Sequence, residues 1–270
     1  MTLQISEDLR AETDELYAFL KTLDEIDWET PTLFMNWTPW DIVAHLHFFD
    51  EVSLASLAGK DEFAASQKAL IEGMAAGLSG QEQTRRALRE YDAKALLERW
   101  KSFDDDMASQ LGESDPKRRL PWFGPDMGVQ MFTTARYMET WAHSQAIYDL
   151  KKVARKHTDR IKNIVAIGVK TFGWTFVNRK LEVPGPAPYV RLTAPSGEIW
   201  EYNQDSEKAG DEERIEGTAV DFCLTVTQVR NVEDTDLSVA GDIARQWMEI
   251  AQCFAGGPVD PPKPGYRVGN

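Results

Sequence analysis

The chain has 270 residues, of which 44 are acidic and 30 are basic, so its formal net charge is −14. This excess of acids argues against a nucleic-acid-binding protein, which needs a basic face, and against docking on an anionic membrane. Two cysteines, a polar N-terminus without signal-peptide character and the lack of a membrane-length apolar stretch predict a cytoplasmic protein in a reducing compartment.

The first half of the chain predicts long helices and no strands. Apolar residues recur at helical spacing in residues 5–23, 39–59, 60–77, 93–111 and 129–150. Ser6 is the expected N-cap of the first helix. Thr38 is expected to cap the second, with Pro39 in its first turn and Asp41 completing a Thr-x-x-Asp capping box. Residues 112–128 are rich in Pro and Gly and predict a loop. Such a series of amphipathic helices is typical of an antiparallel four-helix bundle.

The second half of the chain changes to a mixed pattern. We expect a helix over 161–181, a hairpin of strands 189–193 and 198–202, further strands at 213–217 and 219–229, and a last helix from Ser238 to the glycines at 256–257. The predicted fold class is therefore α+β with two domains, a helical bundle in residues 1–153 and a small α+β domain in residues 154–270.

Neither cysteine is a good candidate for a nucleophile. Cys223 falls in the predicted strand 219–229 and Cys253 in the last predicted helix, beside apolar neighbours, so both are expected to be buried. The sequence also has no Gly-rich phosphate loop and no Gly-x-Ser-x-Gly motif, which leaves nucleotide-dependent and serine-hydrolase chemistry without support.

Two histidines on predicted bundle helices are candidates for metal ligands. Glu139 and His143 are four residues apart, so both side chains project from one helix face. His45, on another helix, is the natural third ligand, and three protein ligands leave open positions for water or substrate. An ordinary surface Glu–His pair and a core histidine are the alternatives. His47 lies roughly 200° around the helix from His45 and cannot share its ion; it is the fallback if His45 is not the ligand.

Three segments carry a resemblance to a known family. Residues 37–46 read Trp-Thr-Pro-Trp-Asp-Ile-Val-Ala-His-Leu and resemble the signature of the mycothiol-dependent maleylpyruvate isomerase family, a branch of the DinB-like metal-binding four-helix bundles. Residues 139–149, which begin Glu-Thr-Trp-Ala-His, are similar to its second metal segment. Residues 217–244 resemble the family's C-terminal domain, which is similar to sterol carrier proteins.

The resemblance implies a metalloenzyme and a set of site residues. His45, Glu139 and His143 would hold a divalent metal, usually zinc. A low-molecular-weight thiol, mycothiol in the family, would add to the double bond of a small anionic organic acid and leave again after rotation. Arg230 falls where the family has an arginine after a leucine-rich strand, and it would be the catalytic residue that holds the substrate's carboxylates. A surface arginine at a strand end is the alternative for Arg230.

The resemblance leaves the reaction open. The stretch before Arg230 is poorer in leucine than in the family, and loop 112–128, which has no counterpart that we can match, is expected to reshape the pocket for a bulkier substrate. The first hypothesis is a thiol-dependent isomerase or transferase. The second is a metal-dependent hydrolase or lyase that uses a metal-bound water, and the third is a non-catalytic ligand-binding protein. The expected state is a monomer or a homodimer.

Overall fold

The computed structural model describes residues 2–205 and 212–267. The chain divides into two compact units, Met1–Leu150 and Lys151–Asn270. The first unit is helical apart from one tiny hairpin, and the second combines helices with a four-stranded sheet. The predicted α+β fold class is confirmed.

Seven helices form the body of the first unit as far as the structure describes it. They are α1 (Gln4–Leu20), α2 (Glu25–Glu29), α3 (Pro39–Ala58), α4 (Lys60–Ala75), α5 (Gly80–Leu88), α6 (Ala93–Glu113) and α7 (Val129–Lys151). The short helices α2 and α5 were not predicted from the sequence. Neither were strands β1 (Arg119–Leu120) and β2 (Met127–Gly128), an antiparallel pair inside the predicted loop.

The start of α3 follows the predicted capping box. The Thr38 hydroxyl accepts a hydrogen bond from the Asp41 backbone N–H, and Oδ2 of Asp41 accepts one from the Thr38 backbone N–H at 3.0 Å. Asp41 is almost completely buried, and Arg85 on α5 donates to its Oδ2 at 2.8 Å. The cap thus satisfies the free N–H groups of the first turn and ties α5 to α3.

The predicted cap of α1 is wrong. Leu3 occupies the N-cap position and makes no side-chain cap, whereas Ser6 lies inside the helix. Ser6 is buried, and its hydroxyl donates to the backbone carbonyl of Ala108 on α6. A long-range partner therefore satisfies this hydroxyl in place of the local N–H groups that a cap would satisfy.

The core of the first unit surrounds α3, which is buried on nearly all sides. Helices α1, α3, α6 and α7 contribute to one cluster of large apolar side chains, among them Leu20, Trp40, Leu46, Trp100 and Ile147. Because α3 sits in the middle of this cluster, the side chains that it carries have fixed positions.

The second unit begins with a helical segment that is broken in the middle. A 3₁₀ turn at Asp159–Ile161 leads into α8 (Lys162–Lys170), and α9 (Phe172–Asn178) follows after Thr171. The predicted continuous helix over 161–181 is wrong, because the backbone of Thr171 departs from helical geometry with φ −93° and ψ 9°.

The sheet of the second unit has the strand order β4-β3-β5-β6. Strands β3 (Tyr189–Thr193) and β4 (Ile199–Tyr202) form the predicted hairpin, with Leu192 opposite Trp200. Strand β5 (Arg214–Thr218) pairs parallel with β3, and β6 (Ser238–Ala240) pairs antiparallel with β5. The hairpin prediction is confirmed.

Two predicted elements of the second unit differ from the structure, one in type and one in its start. Residues 219–229 do not form a strand: α10 (Ala219–Val226) occupies most of them, capped by Thr218, whose hydroxyl accepts from the Asp221 N–H at 3.0 Å. The last helix, α11 (Asp242–Ile250), does not start at Ser238, which belongs to β6. Gly241 joins β6 to α11 and has a positive φ of 88°. A Cβ at this position would clash with Glu213.

Both cysteines are buried, as predicted. Cys223 lies on α10 rather than on a strand, and Cys253 follows α11 rather than lying on it. Within residues 2–205 and 212–267, no helix combines the length and the apolar character that crossing a bilayer requires.

Candidate metal centre

Helices α3 and α7 of the first unit bring the three predicted ligands together. His45 lies two turns into α3, beyond the cap at Thr38. Glu139 and His143 lie one turn apart in the middle of α7. His143 Nε2 is 3.1 Å from Oε2 of Glu139, and His45 Nε2 is 3.8 Å from the same oxygen.

The spacing of the three side chains suits a single cation. One donor atom from each residue lies within 4.8 Å of the other two, and no other group of three such residues in the described part of the chain meets that condition. The side chains of His45, Glu139 and His143 are 17, 25 and 13% exposed. The cluster is therefore covered by protein on most sides but open enough for a small ligand.

The protonation states agree with metal ligation. Burial, and next the neighbouring His143, lower the pKa of His45 to about 4, which leaves the imidazole neutral near pH 7. Burial acts to raise the pKa of Glu139, but the hydrogen bond with His143 and the charge of the two histidines outweigh it and hold this pKa well below its usual range. Neutral imidazole and ionised carboxylate are the forms that bind metal.

One buried nitrogen atom of the cluster has no hydrogen-bond partner. Nε2 of His45 is buried without a hydrogen bond, because 3.8 Å to Glu139 is too long for one. Leaving a buried nitrogen unpaired costs free energy, and a divalent cation between the three side chains would remove that cost. Two imidazoles and one carboxylate fit zinc, with an open coordination position.

Aromatic rings surround the two histidines. The Trp37 ring lies parallel to that of His143 at 5.8 Å between centroids, and the Phe34 ring meets His143 edge-on at 5.1 Å. Phe49, one turn after His45 on α3, contacts its ring at 4.9 Å. The sequence analysis did not assign Phe34 and Phe49 to the site. The four-residue spacing from His45 to Phe49 was the available signal.

His47 does not join the cluster. It is completely buried on another side of α3, where Arg99 donates to its Nε2 at 2.9 Å and Phe103 packs edge-on at 4.8 Å. Burial and the charge of Arg99 lower the pKa of His47 to about 4. The structure thus places His45, and not the fallback His47, beside Glu139 and His143.

A buried polar network lies next to the ligands and was not predicted. Nη2 of Arg136, on α7, donates to Asp50 Oδ1, on α3, at 2.9 Å, and both side chains are almost completely buried. Asp104 on α6 is fully buried near Asp50. Burial raises the pKa of Asp50 to about 6, although Arg136 opposes the shift, and burial together with Asp50 raises that of Asp104 well above its usual range. The ion pair with Arg136 thus favours the ionised form of Asp50, whereas burial favours the neutral form of Asp104.

Arg230 belongs to the second unit, and its surroundings differ from those predicted. No strand leads into it: it follows α10, and its backbone N–H donates to the Leu224 carbonyl at 3.0 Å. Only 5% of the residue is exposed, so the alternative of a surface arginine is wrong. Its catalytic role stays a prediction.

The chain is similar to known proteins in sequence and in structure. Residues 9–148 match the model of the family described as the mycothiol maleylpyruvate isomerase N-terminal domain. Uncharacterized protein Rv0036c of Mycobacterium tuberculosis is 34% identical over 252 residues, covering 93% of this chain and 95% of its own length. Uncharacterized protein MT0041, from another strain of that species, gives the same values.

Solved structures share the fold. The crystal structure of the mycothiol-dependent maleylpyruvate isomerase has a TM-score of 0.52 at 13% identity, with 82% of this chain and 87% of that chain covered. A histidine-to-alanine mutant of that isomerase gives a TM-score of 0.51 at 12% identity over the same shares. At this identity the likeness concerns the fold alone. The family model covers more than half of the chain, and the chain therefore belongs to the family of the mycothiol maleylpyruvate isomerase N-terminal domain.

Proposed function

We propose that this protein is a metal-dependent enzyme that uses a low-molecular-weight thiol to isomerise, or to transfer the thiol to, a small anionic organic acid. The observation that carries the proposal is the donor set of His45, Glu139 and His143, with its buried unpaired nitrogen. The name of the structural relatives supports mycothiol as the thiol and an acid of the maleylpyruvate type as the substrate. Zinc is the metal that we propose.

The chain's own residues prepare the site for such chemistry. A bound divalent metal supplies a Lewis acid that polarises a carbonyl oxygen or favours the thiolate form of a thiol. Glu139 would offset part of the metal's charge, while imidazole ligands bind a metal in their neutral form and add no charge. Trp37 and Phe34 cover the ring of His143 and limit the access of water on that side.

We assign the role of substrate anchor to Arg230. A metal fixes the position of one end of an anionic substrate but not its orientation, so a second cation is needed. A guanidinium that holds a carboxylate by two parallel hydrogen bonds would supply it. The proposed setting is the cytoplasm, where thiols stay reduced, and the proposed state is a monomer or a homodimer.

Metal content tests the ligand set. We expect close to one zinc per chain after loading and desalting, and a loss of most of it in His45→Ala and in His143→Ala. His47→Gln is the matched control, because it alters a histidine on the same helix but keeps an acceptor for Arg99. Elemental analysis decides: full zinc content in both alanine variants, or a loss only in His47→Gln, contradicts the site.

Dependence on thiol tests the reaction. Zinc-loaded protein is given maleylpyruvate with mycothiol, with glutathione or without thiol, and fumarylpyruvate formation is followed by absorbance. We expect turnover only with a thiol. Turnover at the same rate without thiol contradicts the proposal, because the thiol would then take no part in the isomerisation. Metal binding without any reaction of these acids contradicts the proposed substrate class.

A further inference from the structure

The predicted loop at 112–128 is fixed onto the C-terminal end of α3, the helix that carries His45. The Ser56 hydroxyl donates to the Pro121 carbonyl at 2.7 Å, and the Arg118 guanidinium donates to the Leu57 carbonyl. The β1–β2 pairing closes the loop at its base. Trp122 and Phe123, which follow Pro121 directly, are therefore held in place against α3.

These two rings continue the aromatic surroundings of His45. Phe49 contacts the His45 ring, and its own centroid lies 6.3 Å from that of Trp122 and 6.2 Å from that of Phe123. Trp122 and Phe123 meet each other edge-on at 5.1 Å. All three residues are half-buried. We call Phe49, Trp122 and Phe123 the aromatic shelf.

Buried apolar side chains pack against one side of the aromatic shelf. Phe132 on α7 meets Trp122 at 4.9 Å, and Phe63 on α4 meets Phe123 at 5.3 Å. Phe132 is 1% exposed and Phe63 is 4% exposed. The aromatic shelf thus packs against the buried core on one side, while part of its own surface remains exposed to solvent.

We propose that the aromatic shelf binds a planar apolar group, such as an aromatic ring, on the substrate held at His45, Glu139 and His143. This inference rests on the proposed function and extends its substrate class from acids of the maleylpyruvate type to larger acids that carry such a group beside the metal-binding oxygens. Ring-to-ring contact and removal of apolar area from water both favour a planar group there. A short dianionic acid would leave the shelf unused.

Two probes that chelate a metal in the same way separate the contribution of the aromatic shelf to binding from that of the metal. Acetohydroxamate and benzohydroxamate both bind an open metal position through the same two oxygens, and only the second has a ring. Their affinities for zinc-loaded protein are measured by isothermal titration calorimetry. We expect benzohydroxamate to bind at least tenfold more tightly. In Phe123→Leu and in Phe49→Leu, which keep apolar volume but lose a ring, we expect the difference to fall below threefold.

Phe103→Leu is the matched control. Phe103 is half-buried and packs against His47, as Phe49 packs against His45, but it lies outside the aromatic shelf. The control should keep the full preference for benzohydroxamate. Equal affinity of the two probes for the wild type, or an undiminished preference in both shelf variants, overturns the inference while leaving the metal site intact. Failure of the wild type to take up zinc overturns the proposed function itself, and the inference with it.

Discussion

Thr38 shows how one side chain sets the position of a candidate metal ligand. Its hydroxyl accepts from the Asp41 N–H at the start of the helix that carries His45. We predict that Thr38→Ala lowers the free energy of unfolding by about 1 kcal/mol, the usual cost of a lost N-cap. Urea unfolding followed by circular dichroism measures this change.

Thr38→Ser is the control for that substitution, because serine keeps the capping hydroxyl. It should stay within a few tenths of a kcal/mol of the wild type. An alanine variant as stable as the serine variant would mean that Asp41 and Arg85 hold the start of α3 without help from the cap.

Asp104 makes the stability of the protein depend on pH. Because the folded state raises its pKa, the folded chain binds this proton more tightly than the unfolded chain does. Its contribution is fully present below about pH 4 and is lost as the pH rises towards the folded-state pKa. Asp50, with a pKa of about 6, adds to the same loss up to that pH.

We therefore predict that Asp104→Asn gains stability relative to the wild type as the pH rises from 5 to 8. Asparagine keeps the shape of the side chain and has no proton to lose. Urea midpoints at each pH provide the measurement. Asp106→Asn, at an exposed position of the same helix, shows how removal of any acid from α6 changes the curve. Parallel curves for Asp104→Asn and the wild type would show that Asp104 is already ionised.

The sequence predicts single residues well where the partner is close in the chain. Thr38 and Asp41 form hydrogen bonds with each other within one helical turn, so their spacing in the sequence was sufficient to predict the cap. Ser6 looked like an equally good cap, yet its partner is the Ala108 carbonyl, 102 residues away. Asp104 gave no local signal, because its neighbours come from other helices.

At the scale of elements, the buried pair of Asp50 and Arg136 joins the two helices that carry the ligands. The residues are 86 positions apart in the chain, and Arg136 also donates to the Leu46 carbonyl, next to His45. The pair thus aligns α3 with α7 at the level where His45 meets Glu139. Breaking a buried pair leaves an uncompensated charge, which costs more than the pair itself contributes.

We predict that Arg136→Met lowers the free energy of unfolding by about 3–5 kcal/mol. The double variant Asp50→Asn with Arg136→Met should recover a large part of this loss, because no charge is then left unpaired. Chemical unfolding gives both values. The double variant should nevertheless bind zinc more weakly than the wild type, since the alignment of the helices is gone. Full recovery of both stability and zinc affinity would show that apolar packing alone aligns them.

Whether a segment forms a helix or a strand was predictable where its residues followed one clear pattern. The hairpin at 189–202 has alternating residues around a turn and was found. Apart from Asp221, residues 219–226 are apolar or β-branched, which suits a buried strand or a short helix equally. The deciding signal was local: Thr218 and Asp221 have the same Thr-x-x-Asp spacing as Thr38 and Asp41, and the Thr218 hydroxyl caps the helix by accepting from the Asp221 N–H. The break at Thr171 had no comparable marker in the sequence.

For the whole molecule, the proposed function assigns roles to residues of both units. The first unit holds the three candidate ligands, and the second holds Arg230. We predict that Arg230→Ala lowers turnover of an anionic substrate at least tenfold, about 1.4 kcal/mol of transition-state stabilisation, and leaves the zinc content unchanged.

The control for Arg230 is Arg191→Ala, which removes an exposed arginine from β3 of the same unit. Steady-state kinetics and thermal melts are recorded for both variants. Unchanged turnover in Arg230→Ala would remove the substrate anchor from the proposed function. Equal losses in the two variants would point to the overall charge of the second unit instead.

Helix α4 has a consequence for motion near the aromatic shelf. Of its 16 residues only Phe63, in the first turn, is buried, whereas Ile71 and Met74 near its end are 56 and 62% exposed. Little free energy therefore opposes fraying from the C-terminal end, and Gly73 weakens that end further. Amide hydrogens of the last two turns should exchange with solvent far faster than those of α3. Phe63 would therefore keep its contact with Phe123 while the C-terminal part of α4 frays and re-forms.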